Sequence, residues 1–381
     1  MVYLDNSATT KPWPEVLDAY YKVASDYFGN PSSLHHPGVE AETLLSKGRA
    51  SVAQLLNVNA EEIVFTSGGT ESNNTAIKGI AMEHQERGKH LITSSVEHPS
   101  VMQAFQALES FGFDVTYVDV DQEGRVSVED VLHAVREDTI LVSIIHVNSE
   151  LGTINPVEDI AQALTAFPKL FFHTDHVQGA GHVPLNLQGV DLCTISAHKI
   201  HGLKGTGVLF VRRGTSLSPL FHGGSQEQQY RAGTENVPGI TAMAKALRLS
   251  ENERQQQNGR LEHLKQNLIH RLQDLEGAVV NTPQRGSAPH IVNVSFPGMK
   301  PEVLVQELTR NHIHVSTKSA CSSKLQEPSA VLLAAGVGME RASSAIRASF
   351  SHDTKEREVD EFVRILQKAV SEMMLVMGEK K

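Results

Sequence analysis

Cysteine is nearly absent: the chain of 381 residues has two, Cys193 and Cys321. That excludes a disulfide framework and a multi-cysteine zinc site, and leaves at most a lone reactive thiol. Positive charge is in deficit, with 34 Lys and Arg against 44 Asp and Glu for a net charge of −10. A protein that tracks nucleic-acid phosphates directly is therefore not expected. Long apolar runs are missing too. The stretch 140–145 is far too short to cross a bilayer, and no membrane association is expected. The opening residues, MVYLDNSATT, hold neither a basic segment nor an apolar one, so no secretory signal is expected and the cytoplasm is the expected location. Internal repeats and low-complexity tracts are also lacking. What is there, 40% hydrophobic and 20% charged residues, describes an ordinary globular chain, and its length suits two domains.

The first two-thirds alternates short β-branched apolar runs with amphipathic ones. Strands are predicted at 62–66, 90–94, 114–118, 140–147, 170–174, 192–195 and 207–211, and helices at 70–85, 100–111, 127–136 and 156–166. Such alternation builds a mostly parallel sheet with right-handed crossovers. Only SAHKIHGLKGT separates the last two strands, too little for a helical crossover, which predicts an antiparallel pair there. Near Ser250 the composition turns polar, and SENERQQQNGR reads as the exposed middle of a long helix or as a linker. Beyond it come an amphipathic helix, a strand at 290–296, a helix at 301–310 and a strand at 313–316. A Ser/Lys-rich loop, a helix from near 327, a strand at 346–350 and a helix from 355 complete a smaller α+β unit. The expected division is a large domain of residues 16–254 and a small one of residues 1–15 and 255–381, which carries the loop 316–326.

Strand after strand ends on an unusual polar group. IVFT runs into SGGTESN, LITSS into VEHPS, SIIHV into NSELG, FFHT into DHVQG and CTI into SAHK. Ligands of open α/β sheets bind outside the carboxyl ends of the strands. Thr70, His98, Asn148, Asp175, Gln178, Ser196, His198 and Lys199 are therefore candidates for one site. Each alone has an ordinary explanation as a helix residue, a loop cap or a surface lysine; eight at successive strand ends argue for a shared purpose. In SGGTES two glycines before a helix let backbone N–H groups approach a phosphate, and the same letters are also good capping chemistry. Lys199 directly follows an apolar strand, where partial desolvation favours the neutral amine that a Schiff-base lysine needs. Asp175 suits a pyridine nitrogen, and holding that nitrogen protonated turns pyridoxal phosphate into an electron sink.

The two cysteines separate by context. Cys193, inside VDLCTIS, reads as strand packing. Cys321, in STKSACSSKL with Lys318 and Lys324 nearby, reads as an exposed thiol that ionises readily. Nineteen histidines invite a metal, yet His35, His36, His201, His222, His312 and His314 have no convincing ligand spacing, and no metal is expected.

Nine segments carry a resemblance. LDNSATT, FTSGGTESNN, EHPSV, HVNSELG, HTDHVQ, SAHKIHGLKGTG, RAGTENV, SACSS with the following EPS, and AIRASFS occur in this order across nearly the whole chain. The sequence resembles the cysteine desulfurases, pyridoxal-phosphate enzymes of fold type I in the class V aminotransferase group, and among them the subgroup with SAC-x-S in a long loop. The resemblance implies an α/β fold, with a large domain around a mostly parallel mixed sheet and a smaller α+β domain. It implies that Lys199 carries pyridoxal 5'-phosphate as a Schiff base, that Asp175 pairs with its pyridine nitrogen and that Gln178 hydrogen-bonds its phenolic oxygen. His98 would stack on the ring and share in acid–base chemistry. Gly69, Thr70, Ser196 and His198 would bind the phosphate, with Thr234 reaching it from the second subunit of a homodimer. Asn148 and Arg347 would take the substrate carboxylate, the arginine through its planar fork. Cys321 would accept the sulfur of L-cysteine as a persulfide, leaving L-alanine. An acceptor protein serving iron–sulfur assembly, tRNA thiolation or thiamin synthesis would then receive it.

The pattern has departures. His176 stands where the family usually has a small residue, and Lys318 where the loop usually has glycine. GGSQEQQYRAGTEN has Gln and Tyr where relatives often carry arginine. Little chain follows the last helix, which points to a dedicated acceptor over a general scaffold. A selenocysteine lyase or a class V aminotransferase is the alternative on the same scaffold, and transamination has no use for a loop thiol. Rivals of other classes are a non-catalytic sulfur carrier, which predicts a colourless protein, and a histidine-based metal hydrolase, which predicts bound metal.

Overall fold

The structure is a computed structural model that describes residues 1–318 and 327–378; Cys321 lies outside the described residues. The β-branched runs form a seven-stranded sheet. Its members are β2 (Ile63–Thr66), β3 (His90–Ser94), β4 (Asp114–Val118), β5 (Thr139–Ile145), β6 (Phe171–Asp175), β7 (Leu192–Ser196) and β8 (Gly207–Val211). They lie in the order β2-β8-β7-β6-β5-β3-β4. β8 pairs antiparallel with both β2 and β7, and the other neighbours are parallel. The short connection between β7 and β8 therefore has the consequence read from the sequence: the chain turns back instead of crossing over.

Pleating sends alternate residues to opposite faces. Ile63 and Phe65 of β2 join one apolar cluster and Val64 joins another. The first face is covered by α1 (Pro14–Asp26), α2 (His36–Leu56), α5 (Val128–Ala134), α6 (Val157–Leu164) and the start of α7 (Val237–Gln273). The second is covered by α3 (Gly69–His84) and α4 (Pro99–Glu109). Side chains such as Phe105 and Phe172 are fully buried here, each contributing about 1.5–3 kcal/mol by leaving water. Cys193 is buried in the first cluster, where burial and the nearby Asp175 carboxylate push its thiol well above the usual range.

α7 runs 37 residues without a break and contains the whole of SENERQQQNGR, so the helical reading of that segment is the one realised. Its second half packs on another core. That core holds β10 (Ile291–Ser295), α8 (Pro301–Arg310), β12 (Ala345–Ser349) and α11 (Glu356–Gly378). β9 (Val279–Val280) completes an antiparallel sheet in the order β12-β10-β9. β1 (Val2–Tyr3) pairs in parallel with β11 (Ile313–His314), and Asp5 bridges to Ser349, which stitches the N-terminus into this core. The strand predicted at 313–316 thus ends two residues early. The helix expected from near 327 starts as α9 (Ala330–Ala334), where the Ser329 hydroxyl caps the Leu332 N–H at 3.1 Å. α10 (Met339–Ala342) leads into β12. α1, α2 and β9 correspond to nothing predicted.

Candidate active site

The carboxyl ends of β2, β3, β5, β6 and β7 converge on a cavity of about 170 Å³. Gly69, Thr70, His98, Asp175, Gln178, Ser196, His198, Lys199 and Arg347 all line it. Ser7, Ala8, Asn73, Ser100 and Ser149 share the wall.

Lys199 follows β7 in a short 3-10 turn. Its Nζ donates to the Ala8 carbonyl at 2.8 Å and also to the Ser7 carbonyl. Gln178 Nε2 donates to the same Ser7 carbonyl at 2.9 Å. Ser7 in turn is fixed by its N–H on Ser349 Oγ (2.8 Å), so the N-terminal strand carries a cavity wall between the two cores. Asp175, the last residue of β6, is buried; its Oδ1 accepts from the Val177 N–H at 2.9 Å and its Oδ2 from Asn73 Nδ2 at 2.8 Å. Asn73 also donates to Ser100 Oγ at 2.9 Å, and Ser100 Oγ lies 2.8 Å from His98 Nδ1. His98 Nδ1 accepts the Ser100 N–H as well, as the N-cap of α4. An acceptor Nδ1 leaves the neutral ring proton on Nε2. Desolvation lowers the His98 pKa, with Asp175 opposing and Lys199 assisting. His198 is lowered to about 4 by desolvation and by the cations Lys199 and Lys204.

Several buried polar atoms in this wall have no hydrogen-bond partner among the described residues: Ser196 Oγ, Ser7 Oγ, Asn73 Oδ1 and Arg347 Nε. α3 begins at Gly69 without a side-chain cap, so its first N–H groups are free for an anion. A Cβ at position 69 would stand 3.7 Å from Ser196 Cβ and only 3.0 Å from Val177 Cγ2, so glycine keeps this cradle open. An uncapped helix start with an unpartnered hydroxyl at one side, and a braced carboxylate with a lysine at the other, fits a phosphorylated pyridine aldehyde.

Arg347 enters from β12 and is fully buried. Its Nη1 donates to the Ser149 carbonyl at 2.6 Å and its Nη2 pairs with Asp5 Oδ1 at 3.1 Å. Asn148 does not line the cavity. Its Nδ2 donates to the Val96 carbonyl at 3.0 Å, and its Oδ1 accepts from the N–H groups of Glu150 and Leu151, both at 2.9 Å. The amide oxygen is committed to its own turn and the amide nitrogen to Val96, and of the two expected carboxylate ligands Arg347 is the one on the wall. Thr234 lines a separate cavity with Thr66, Ser67, Thr206, Arg231 and Asn236.

Sequence reasoning missed Asn73, although it sits one helical turn from Gly69 and Thr70, a spacing that shares their face. It also missed Ser7 and Ala8, whose contribution to Lys199 is made by backbone carbonyls.

The family model for class V aminotransferases matches residues 2–362. A relative named cysteine desulfurase IscS, from Dictyoglomus turgidum, is 42% identical over 378 residues, which covers 98% of this chain and 96% of the relative. The NifS/IcsS protein homolog of Lactobacillus delbrueckii subsp. bulgaricus is 45% identical over 367 residues, with 95% of each chain covered. Among solved structures, a NifS-like protein matches with a TM-score of 0.92 at 38% identity, covering 97% of this chain and 99% of that one. SspA in complex with cysteine matches with a TM-score of 0.81 at 34% identity, covering 92% and 99%.

Proposed function

The chain belongs to the class V aminotransferase family and, within it, to the cysteine desulfurases, fold-type-I enzymes that use pyridoxal phosphate, and on that premise we propose how its cavity is used. The observation that carries the reading is the convergence of Lys199, Asp175, Ser196, His198 and Arg347 on one cavity. Gly69, Thr70, Ser196 and His198 hold the phosphate. Asp175 would pair with the pyridine nitrogen, Gln178 with the phenolic oxygen, and His98 would stack on the ring. Bound pyridoxal phosphate supplies an electron sink for the charge left at the substrate Cα.

Lys199 would anchor the cofactor and, while its amine is free, would take the Cα proton of the substrate on Nζ. The Ser7 and Ala8 carbonyls keep Nζ inside the cavity during that interval. Arg347 fixes the carboxylate of L-cysteine. Cys321 is the sulfur acceptor: its thiolate attacks the substrate sulfur, the Cβ–S bond breaks, and the electron pair stays with carbon. The proton released by the thiol ends on that carbon, so L-cysteine and the Cys321 thiol become L-alanine and a Cys321 persulfide. The relatives' names do not favour a selenocysteine lyase or an aminotransferase over this reaction.

The same reading includes an acceptor protein for the persulfide, in iron–sulfur assembly, tRNA thiolation or thiamin synthesis. A net charge of −10 fits a partner, not this chain, holding any tRNA. It includes a homodimer, for which Tyr21, Phe28, Leu34 and Val39 are exposed apolar side chains available for contact. A second subunit would bring Thr234 to the phosphate. It also includes a division into a large domain of residues 16–254 and a small one of residues 1–15 and 255–381, and a cytoplasmic location. Among the described residues no helix is long and apolar enough to cross a membrane.

The test is direct. Protein reconstituted with pyridoxal phosphate should be yellow, change its absorbance with L-cysteine, release alanine and gain sulfur on Cys321 by mass spectrometry. Cys321→Ala should keep the absorbance change and lose desulfuration; undiminished desulfuration would overturn the assignment.

A further inference from the structure

His146 and His176 follow the last residues of adjacent parallel strands, Ile145 of β5 and Asp175 of β6. Both are buried, and neither lines the cavity. Their Nδ1 atoms lie 2.7 Å apart, and their rings stack with centroids 4.9 Å apart at 25°. Two ring nitrogens at that distance hold one proton between them: one donates, the other accepts, and fixing one tautomer fixes the other. The backbone ties this pair to Asp175 and its neighbour strand. The His146 N–H donates to the Asp175 carbonyl at 2.9 Å, and the His176 N–H donates to the Thr194 carbonyl at 3.0 Å.

Gly179 makes the room. A Cβ there would fall 2.4 Å from His176 Nδ1 and 3.0 Å from His146 Nδ1, so the pair requires a residue without one. Burial keeps both rings neutral, lowering His146 to about 4 and His176 well below its ordinary value, with Arg254 adding to the latter. A clasp without net charge fixes a position without competing for the carboxylate beside it.

We propose that His146 and His176 form one proton-sharing clasp that sets the orientation of Asp175, as positioning residues for the cofactor. The inference rests on the reading that Asp175 faces the ring nitrogen. The Asp175 carboxylate is aimed by Asn73 and Val177; its carbonyl is held by the main chain of His146, whose ring the clasp fixes. Loosening that backbone changes how firmly the carboxylate holds the ring-nitrogen proton, which the visible band of the cofactor reports.

The holoenzyme is compared with His146→Ala, His176→Ala, the double variant, His176→Phe and His176→Asn. Phenylalanine keeps a ring and loses the nitrogens; asparagine places an amide where Nδ1 stood. The readouts are the pH midpoint of the visible band and the rate of cofactor loss on dialysis. Each alanine variant and the Phe variant should shift the midpoint and lose cofactor about tenfold faster, the cost of one broken buried hydrogen bond. The double variant should be no worse than either single one, because the two residues act as a unit. The Asn variant should regain most of the difference. Additive effects in the double variant, or an unshifted midpoint with merely a lower Tm, would overturn the clasp. Should the alanine variants be insoluble, the Phe and Asn variants alone decide, by differing or by behaving alike. Asp175→Asn guards the underlying reading. If it leaves band and retention unchanged, that reading has failed; if it changes them and the histidine variants do not, the clasp alone has failed.

Discussion

Asn73 Nδ2 and Asp175 Oδ2 meet at 2.8 Å, so the helix whose start is proposed to hold the phosphate also aims the carboxylate. Both residues are buried. Asn73→Leu would leave Oδ2 without that donor at a cost of about 1–3 kcal/mol. Cofactor titration should show affinity weakened by about tenfold or more, and urea unfolding should show reduced stability. Unchanged affinity would mean that the carboxylate is aimed by Val177 alone.

Arg347 presents a guanidinium with Nη1 and Nη2 already engaged and Nε unpartnered among the described residues. Arg347→Lys keeps the charge but loses the planar fork. Steady-state kinetics should show KM for L-cysteine raised by about tenfold or more with a smaller change in kcat, the signature of lost ground-state binding.

Acid should unfold this protein through its neutral histidines. His182 stacks on His290 at 3.8 Å and on His352 at 5.1 Å. Burial lowers His290 and His173 to about 3 and His146 to about 4, and holds His182 well down. The unfolded chain, with imidazoles near ~6.5, then binds more protons than the folded one between those values. The histidines' contribution to stability is full above pH ~6.5 and falls as pH drops toward 3, by about 1.4 kcal/mol per pH unit for each ring. Urea midpoints at pH 7, 5.5 and 4.5 check this; a flat profile would contradict it.

Glu97 works in the opposite direction. Burial raises its pKa to about 8 despite hydrogen bonds from Ser94 Oγ (2.7 Å) and the Ile145 N–H (2.8 Å). The folded chain keeps this proton from the ordinary value of 4.5 up to about 8 while the unfolded chain loses it. Its contribution to stability therefore declines as pH rises through that window. Glu97→Gln, which retains the shape and an acceptor, should flatten the decline in Tm between pH 6 and 8.5.

Cys193→Ala should leave sulfur transfer intact and lower stability modestly, since the thiol only packs against the sheet. Alkylation of the folded protein should spare Cys193, and mass spectrometry would show any exception.

Much of this was legible because strands buried on both faces read as continuous apolar runs rich in β-branched residues. β3 and β8, buried throughout, have the bounds that the runs suggest, and so does the edge strand β4. α1 escaped notice because its apolar residues Leu17, Tyr20 and Tyr21 face outward, which blurs the stripe a core-facing helix shows. Asn148 sits at a strand end like its neighbours, yet nothing in its letter says that its amide serves Glu150 and Leu151. Ser7 and Ala8 hold Lys199 through carbonyls that every residue possesses, so no side-chain pattern could announce them. The stacked histidines were not legible, because stacking between rings distant in sequence has no local signature.

α7 has a mechanical consequence. At 37 residues it is a rod about 55 Å long. Its first part is braced against α1 and α2, and its later part against α11 and β10. Bending such a beam would strain its hydrogen-bonded midsection, so the gap between Lys199 on one anchored block and Arg347 on the other is gauged by a stiff strut. With Lys199 and Arg347 placed on the substrate as proposed, a substrate one methylene longer would meet a jaw of fixed width instead of one that yields.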